Sequence, residues 1–304
     1  MRSSFWLPTL LALALCGAGG QTVYAQEPSP MALAGAMEEV LVKAIARAEN
    51  SVVAIARVRK DRTEGTFSLE DRPDAFGRRI GPAAVPKPTD PDFIPTEFAT
   101  GVVVDAAGLI LTAYHVLAED SEYYVTTQDR KVYQAWVKAA DPRSDLAVLA
   151  IEATDLVPIR FGDAAKLKKG RIVIALGNPY AIARDGQPSA SWGIVANLAR
   201  KAPAQPGESD PLGKGTLHHF GTLIQTDAKL NLGTSGGALL NLQGEMVGLT
   251  TSLAASAGYE TAAGYAMPVD ETFRRVVEIL KQGREAEYGY LGIRRPNHPP
   301  HTPS

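Results

Sequence analysis

Cysteine is almost missing from this sequence: Cys16 is the one copy in 304 residues. Disulfide scaffolds, thiol nucleophiles and cysteine-ligated metals are excluded together. Histidine is scarce as well, with five copies at His115, His218, His219, His298 and His301 and no H-E-x-x-H helix, which leaves little room for catalytic zinc. No metal and no cofactor are expected. Positive charge is not in surplus either. A formal net charge of −2 and a pI near 6.2 give no polyanion-binding footprint, so nucleic acid is not an expected partner. What is present is ordinary for a folded chain: 45% apolar and 21% charged residues, with 28 glycines and 21 prolines to make turns between short strands.

The amino-terminal stretch reads as a targeting segment. Arg2 opens it, Phe5 to Cys16 is apolar, and Val23-Tyr24-Ala25 is a small-x-small cleavage site. The apolar run falls short of the roughly 20 residues that span a bilayer. Leu15 is not the small residue that a lipid-modified Cys16 would need before it. Residues 1–25 are therefore expected to be a signal peptide cut after Ala25, leaving 26–304 as an exported chain, periplasmic in a bacterium, with no stable membrane span.

Periodicity then sets the architecture. Met37, Val40, Leu41 and Ala44 recur at helical spacing within Met31 to Ala48. A strand is expected at Ser51 to Val58. Arg59 to about Pro95 is polar and carries Pro73, Pro82, Pro86, Pro88, Pro91 and Pro95, which reads as a long mobile loop over residues 59–97. Beyond it come short β runs: Gly101–Val104, Leu109–Thr112, Tyr123–Thr126, Val132–Val137, Leu146–Ile151, Ile172–Leu176, Ala190–Val195, Leu223–Gln225, Ala238–Leu240, Met246–Thr250 and Tyr265–Met267. Turn signals such as Asp105-Ala-Ala-Gly108 and Asn241-Leu-Gln-Gly244 separate them. Many short strands without long intervening helices predict an all-β barrel or sandwich. One last helix follows, with Asp270 as its cap, Phe273, Val276, Val277 and Leu280 as its apolar face, and Gly283 at its end.

Three local patterns could carry chemistry. Gly233-Thr-Ser235-Gly-Gly237 puts a serine on a glycine-rich turn, where its hydroxyl is exposed and nearby backbone N–H groups can converge on an oxyanion. Alone it reads equally as an ordinary β turn. Thr112-Ala-Tyr-His115-Val ends an apolar strand, a suitable place for a general base, although a single histidine is commonly structural. Asp145 directly precedes the apolar run Leu146 to Ile151 and could orient that histidine; Asp141 is the better candidate for capping the turn. The chain order His115, Asp145, Ser235 on an all-β pattern is the order of the double-barrel serine proteases. The same glycine-rich motif also satisfies the G-x-S-x-G elbow of α/β-hydrolase esterases. That fold needs a helix after the serine and a later histidine, and only His298 and His301 in a proline-rich tail follow.

Taken in order, Gly101-Val-Val-Val-Asp-Ala-Ala-Gly-Leu-Ile-Leu-Thr-Ala-Tyr-His115-Val, Asp145-Leu-Ala-Val-Leu, Gly177-Asn178-Pro179 and Ile224-Gln-Thr-Asp-Ala-Lys-Leu-Asn-Leu-Gly-Thr-Ser235-Gly-Gly resemble the HtrA/Deg family of trypsin-like serine proteases. The resemblance covers Ala36 to Arg284, with 26–35 as a linker. It implies two six-stranded barrels flanked by short helices, and a His115–Asp145–Ser235 triad that cleaves peptides through an acyl-enzyme. It further implies an oxyanion hole from the N–H groups of Gly233, Thr234 and Ser235, and Leu230 lining the primary pocket. Thr250, Thr251 and Ser252 would form a strand edge that pairs with extended substrate. Lys229 stands where a tryptic pocket would carry an acid, so cleavage after small or medium aliphatic residues is expected. The implied substrates are unfolded or damaged exported polypeptides, cleaved without ATP, and the implied assembly is a homotrimer.

Several positions depart from the family pattern. Thr234 replaces the usual Asn and Leu232 the usual Pro or Arg, while Lys201 to Gly221 is a long version of the activation-sensing loop that Arg200 opens. Tyr288-Gly-Tyr-Leu-Gly-Ile-Arg294 resembles the start of a PDZ domain, and residues 285–304 fall below the roughly 40 needed to fold alone, so PDZ-mediated peptide capture is not expected here. A latent enzyme or chaperone-like binding protein on the same fold is the alternative reading.

Overall fold

The computed structural model describes residues 29–59, 95, 97–178, 186–200, 222–251 and 264–288. The expected signal peptide, the loop at 60–94, Pro179, His218, His219, Ser252 and the tail with His298 and His301 lie outside the described residues. The chain divides into two units, Met1–Met37 and Glu38–Ser304. In the first, Ser29 caps a helix that Pro30 opens: the Ala32 N–H donates to Ser29 Oγ at 3.2 Å. This helix, α1, runs Pro30–Ala48.

In the second unit, short apolar strands close on themselves, because a run that is buried on both faces leaves no edge that water could satisfy. Among the described residues the twelve strands are β1 Val52–Arg59, β2 Glu97–Asp105, β3 Leu109–Ala113, β4 Ser121–Thr126, β5 Val132–Asp141 and β6 Leu146–Ile151, then β7 Ile172–Gly177, β8 Ser189–Arg200, β9 Leu223–Thr226, β10 Ala238–Leu240, β11 Met246–Thr251 and β12 Gly264–Pro268. They form two closed antiparallel barrels, ordered β1-β2-β3-β6-β5-β4 and β10-β11-β12-β9-β8-β7. The expected double barrel is what the chain builds. Strands β5 and β8 run longer than their apolar cores predicted. Each carries register shifts, at Val137/Ala139 and at Val195/Asn197 and Asn197/Arg200, and a bulged strand continues past the point where its alternation breaks.

Side-chain alternation separates three apolar cores. Val53, Ile55, Val103, Ile110, Val125 and Leu149 fill the first barrel. Val173, Val195, Ile224, Leu239 and Val247 fill the second. The opposite faces of the same strands, with Val52, Val102, Leu111, Leu146, Val148, Ile174, Leu176, Leu240 and Leu249, form a third core between the barrels. The second helix, α2 (Glu271–Lys281), seals it with Phe273, Val276, Val277 and Leu280, all buried. Asp270 caps α2 by accepting the Phe273 N–H at 2.8 Å, and Gly283 ends it at φ +74°. Each such side chain is worth about 1.5–3 kcal/mol when fully buried. On the carboxyl-terminal part of α1, Ala44 and Ala48 are buried and Leu41 and Ile45 pack beside them, whereas Val40 is exposed. The contact stripe is therefore narrower than the sequence pattern indicated.

Gly236 closes the seam between the barrels. Its N–H donates to Thr250 O at 2.8 Å, its φ is +84°, and a Cβ there would lie 2.2 Å from Thr100 O and 2.3 Å from Thr112 Oγ1. An alanine meets both a left-handed backbone and a fixed carbonyl. Gly236→Ala is expected to destabilise the fold by about 3 kcal/mol, read as a lower urea midpoint at unchanged slope.

Candidate active site

Strand β3 ends at Ala113, and a 3-10 turn, Tyr114–Val116, carries His115 away from the barrel wall. The start of β6 lies alongside, because Ala113 pairs with Leu146. That register brings Asp145 against the turn. The Tyr114 N–H donates to Asp145 O at 2.9 Å, the His115 N–H donates to Asp145 Oδ1 at 2.8 Å, and His115 Nδ1 lies 2.8 Å from Asp145 Oδ2. Asp145 itself is buried and sits at φ +54°, a left-handed conformation that aspartate tolerates better than most residues. On the other side of the ring, His115 Nε2 lies 3.1 Å from Ser235 Oγ.

The turn holding Asp145 is itself tied down. Asp141 Oδ2 accepts from the Ser144 N–H at 3.2 Å and from Ser144 Oγ at 2.5 Å. It also accepts from the Tyr288 hydroxyl, and the Arg143 guanidinium lies 5.4 Å over the Tyr288 ring. Burial, then the bond to Asp141, pushes the Tyr288 phenol up to about 12. Burial and Glu122, whose Oε2 accepts the Tyr124 hydroxyl at 2.8 Å, push Tyr124 up to about 12 as well. A raised phenol contributes stability that is fully present below the unfolded value near 10 and is lost as pH rises through the folded value. The fold is therefore expected to weaken between about pH 10 and about pH 12. Tyr124→Phe and Tyr288→Phe should each remove one late-titrating phenolate from an absorbance titration; a titration unchanged by either would contradict this.

Ser235 lies in the turn before β10, opposite the first barrel. The Thr100 N–H donates to Ser235 O at 2.9 Å, and the Thr234 N–H donates to Asn231 O at 3.1 Å. Thr234 Oγ1 also donates to Asn231 O, at 2.6 Å. The Thr234 N–H, expected to help hold an oxyanion, is thus committed to the turn, because a threonine here closes the loop onto Asn231. Gly233 adopts φ +90°.

Leu230 packs at the rim of the second core, and a Cβ on Gly264 would come within 2.5 Å of its Cδ1. Thr250 does not offer the free strand edge expected of it. Its N–H donates to Gly237 O at 2.9 Å and its O accepts the Gly236 N–H at 2.8 Å, so the inter-turn ladder uses both groups. Thr251 pairs with Tyr265 on β12.

Two contributors to this arrangement escaped the sequence reading. Arg57 donates to Val116 O at 3.2 Å and pairs with Glu97, bracing the histidine turn. Thr100 bonds to the serine turn from across the seam. The available signals were an arginine inside an apolar strand and a threonine between Ala99 and Gly101. Among the described residues, no cluster of histidine and carboxylate side chains is placed to hold a metal ion, and no helix is long and apolar enough to cross a membrane.

Residues 99–249 match the family described as "Trypsin-like peptidase domain". This is a trypsin-like peptidase domain of the HtrA/Deg type. It is 33% identical to the periplasmic pH-dependent serine endoprotease DegQ of Escherichia coli over 236 residues, 77% of this chain and 48% of that protein. It is 33% identical to a probable periplasmic serine endoprotease, DegP-like, of Pseudomonas fluorescens over 194 residues, 64% of this chain and 37% of that one. The HtrA-type domain thus spans less than half the length of these curated relatives. Its fold also matches a solved structure titled "HtrA-type protease AlgW with decapeptide" (TM-score 0.61, 25% identity, 83% of this chain and 70% of that one). A second match is a crystal structure of Deg5 (TM-score 0.56, 25% identity, 82% and 98%).

Proposed function

We propose that this chain is a serine endopeptidase that cleaves unfolded exported polypeptides by an acyl-enzyme mechanism, with His115, Asp145 and Ser235 as its triad. The observation that carries the reading is the hydrogen-bonded line from Asp145 Oδ2 through His115, 2.8 Å at Nδ1 and 3.1 Å from Nε2 to Ser235 Oγ. With Asp145 holding a proton on Nδ1, Nε2 presents its lone pair to the serine hydroxyl. As Ser235 Oγ attacks the scissile carbonyl carbon, its proton passes to Nε2, and the new oxyanion is met by the N–H groups of Gly233 and Ser235. His115 then returns the proton to the leaving amine. Water, deprotonated by the same nitrogen, attacks the ester carbonyl carbon; the bond to Ser235 Oγ breaks, Nε2 returns its proton to that oxygen, and the second product leaves as a carboxylic acid.

Leu230 at the rim of the second barrel's core and Lys229 in place of an acid support a preference for aliphatic residues before the cut. The support for unfolded substrates is the resemblance to the HtrA/Deg family and not a strand edge at Thr250, whose N–H and O are both taken up within the fold. The relatives' names and the apolar leader ending at Ala25 support export to a periplasm. The test is incubation of residues 26–304 with reduced casein, wild type against Ser235→Ala, with cut sites mapped by mass spectrometry. Cleavage by wild type alone after aliphatic residues is expected. Binding without cleavage by the wild type would overturn the proposal in favour of a binding protein on a protease fold.

A further inference from the structure

The segment after α2 reaches back to the loop that carries Asp145. Gly283 ends the helix against β5, where a Cβ on it would lie 3.3 Å from Lys138 Cε. Ala286 and Tyr288 then pack against the core between the barrels. Tyr288 meets the β5–β6 hairpin there, whose loop is residues 142–145. Its hydroxyl donates to Asp141 Oδ2, and its ring lies 5.4 Å under the Arg143 guanidinium. Asp141 is buried. The same oxygen accepts from Ser144 twice, from its N–H at 3.2 Å and its Oγ at 2.5 Å. Among the described residues, Tyr288 supplies the one donor to this carboxylate from outside the hairpin. With its phenol pushed up to about 12, it remains a donor throughout the neutral range.

Asp145 depends on that loop for its aim. Its carbonyl accepts the Tyr114 N–H at 2.9 Å, and Leu146 after it is paired on both sides, with Ala113 and with Asp141. Those anchors fix the Asp145 Cα and carbonyl but leave rotation about the bond between them. That rotation swings Cβ and the backbone N together, because the bond angles at Cα are stiff. Holding the N therefore holds the direction in which the carboxylate leaves the chain. The Asp145 N–H reaches Pro142 O at 3.4 Å, too long for a firm hold. The N is also placed by Ser144, one rigid peptide plane away, and Ser144 is placed by Asp141. Asp145 sits at φ +54°, a left-handed conformation that persists where its surroundings over-determine it. Loosening Ser144 lets that torsion relax and the N move.

We infer that Tyr288 is a positioning residue for the triad aspartate, fixing Asp145 through Asp141 and Ser144 so that both carboxylate oxygens stay on His115. This rests on the reading of His115, Asp145 and Ser235 as the triad. Tyr288 touches no reacting atom. Its effect falls on the step in which His115 gains charge and little on ground-state binding.

Tyr288→Phe keeps the ring under Arg143 and deletes the hydroxyl. Measured on residues 26–304 with an aliphatic peptide substrate, it is expected to lower kcat about 3- to 30-fold with KM within about twofold. The Nδ1 proton that His115 shares with Asp145 is read separately, as the far-downfield imidazole resonance in a proton NMR spectrum. It should broaden or move upfield in the variant. Ser144→Ala should give the same two changes, and the double variant little more than either, because both act through one link. Ser144→Thr, which keeps a hydroxyl, should restore both readouts. Tyr124→Phe is the control: it also strips a phenol from a carboxylate, Glu122, but on β4, and it should leave kcat and the resonance as in wild type. If Tyr288→Phe folds poorly, Ser144→Ala carries the same comparison. Wild-type kcat in both the Tyr288 and the Ser144 variants would overturn the inference, as would a fall in kcat with the resonance unmoved, additive losses in the double variant or an equal loss in Tyr124→Phe. An inactive wild type would instead overturn the triad reading, and the resonance would still report whether Tyr288 holds Asp145 on His115.

Discussion

Replacing Ser235 with alanine is expected to abolish peptide cleavage, a fall in kcat of about 10⁶-fold, with the thermal transition unchanged. The loss is this large because Ser235 Oγ is the atom that forms the covalent bond in the proposed reaction, and His115 Nε2, 3.1 Å away, has no other substrate proton to move. His115→Ala should cost about as much, and the double variant no more than either, since the two groups act as one unit. Fold is spared because Ser235 is anchored through its backbone, its O accepting the Thr100 N–H at 2.9 Å. Steady-state hydrolysis and labelling by a fluorophosphonate measure it together. Residual labelling of the alanine variant would point to a different nucleophile and sink the assignment.

Asp145→Asn is expected to lower kcat by about 10⁴-fold while the protein stays folded. Both Asp145 oxygens are engaged by one residue, Oδ1 with the His115 N–H at 2.8 Å and Oδ2 with Nδ1 at 2.8 Å. An asparagine can offer an oxygen to only one of them. Keeping the backbone bond turns its NH₂ toward Nδ1, which forces the ring proton onto Nε2. That nitrogen then faces Ser235 as a donor and cannot accept its proton. The Tyr114 N–H bond to the Asp145 carbonyl survives, so the turn should hold. A variant within about tenfold of wild type would show that Asp145 does not set the tautomer.

Strand existence was legible because the apolar runs are short and punctuated. Leu146–Ile151 and Ala238–Leu240 occupy the residues their patterns indicated. Strand ends were less legible: nothing in Lys138–Asp141 or Asn197–Arg200 alternates cleanly, and bulges carried β5 and β8 onward. The three chemically suggestive residues were picked out by type and by chain order, which needs no coordinates. Their hydrogen-bonded partners were harder. Tyr288 on Asp141 spans 147 residues and Thr100 on Gly233 spans 133, and neither pairing leaves a local pattern. Thr250 misled because a strand's hydrogen-bonding sides look alike in sequence until the neighbouring turn claims one of them.

By itself, then, the sequence determined that this chain is built of many short strands, that it has a serine on a glycine-rich turn, and that a histidine and an aspartate precede that serine in protease order. Alternation and turn chemistry are local, and they survive being read one residue after another. Closure of two barrels, and the meeting of β2 with the serine turn, were decided only in three dimensions. The third core, with Val52, Leu111, Ile174 and Leu249, exists because strands from both barrels present apolar faces to each other, and burying those faces brings Thr100, Asn178 and Gly233 into one line of hydrogen bonds. Contacts between residues far apart in the chain follow from packing, and packing is a property of the folded surface that no single segment carries.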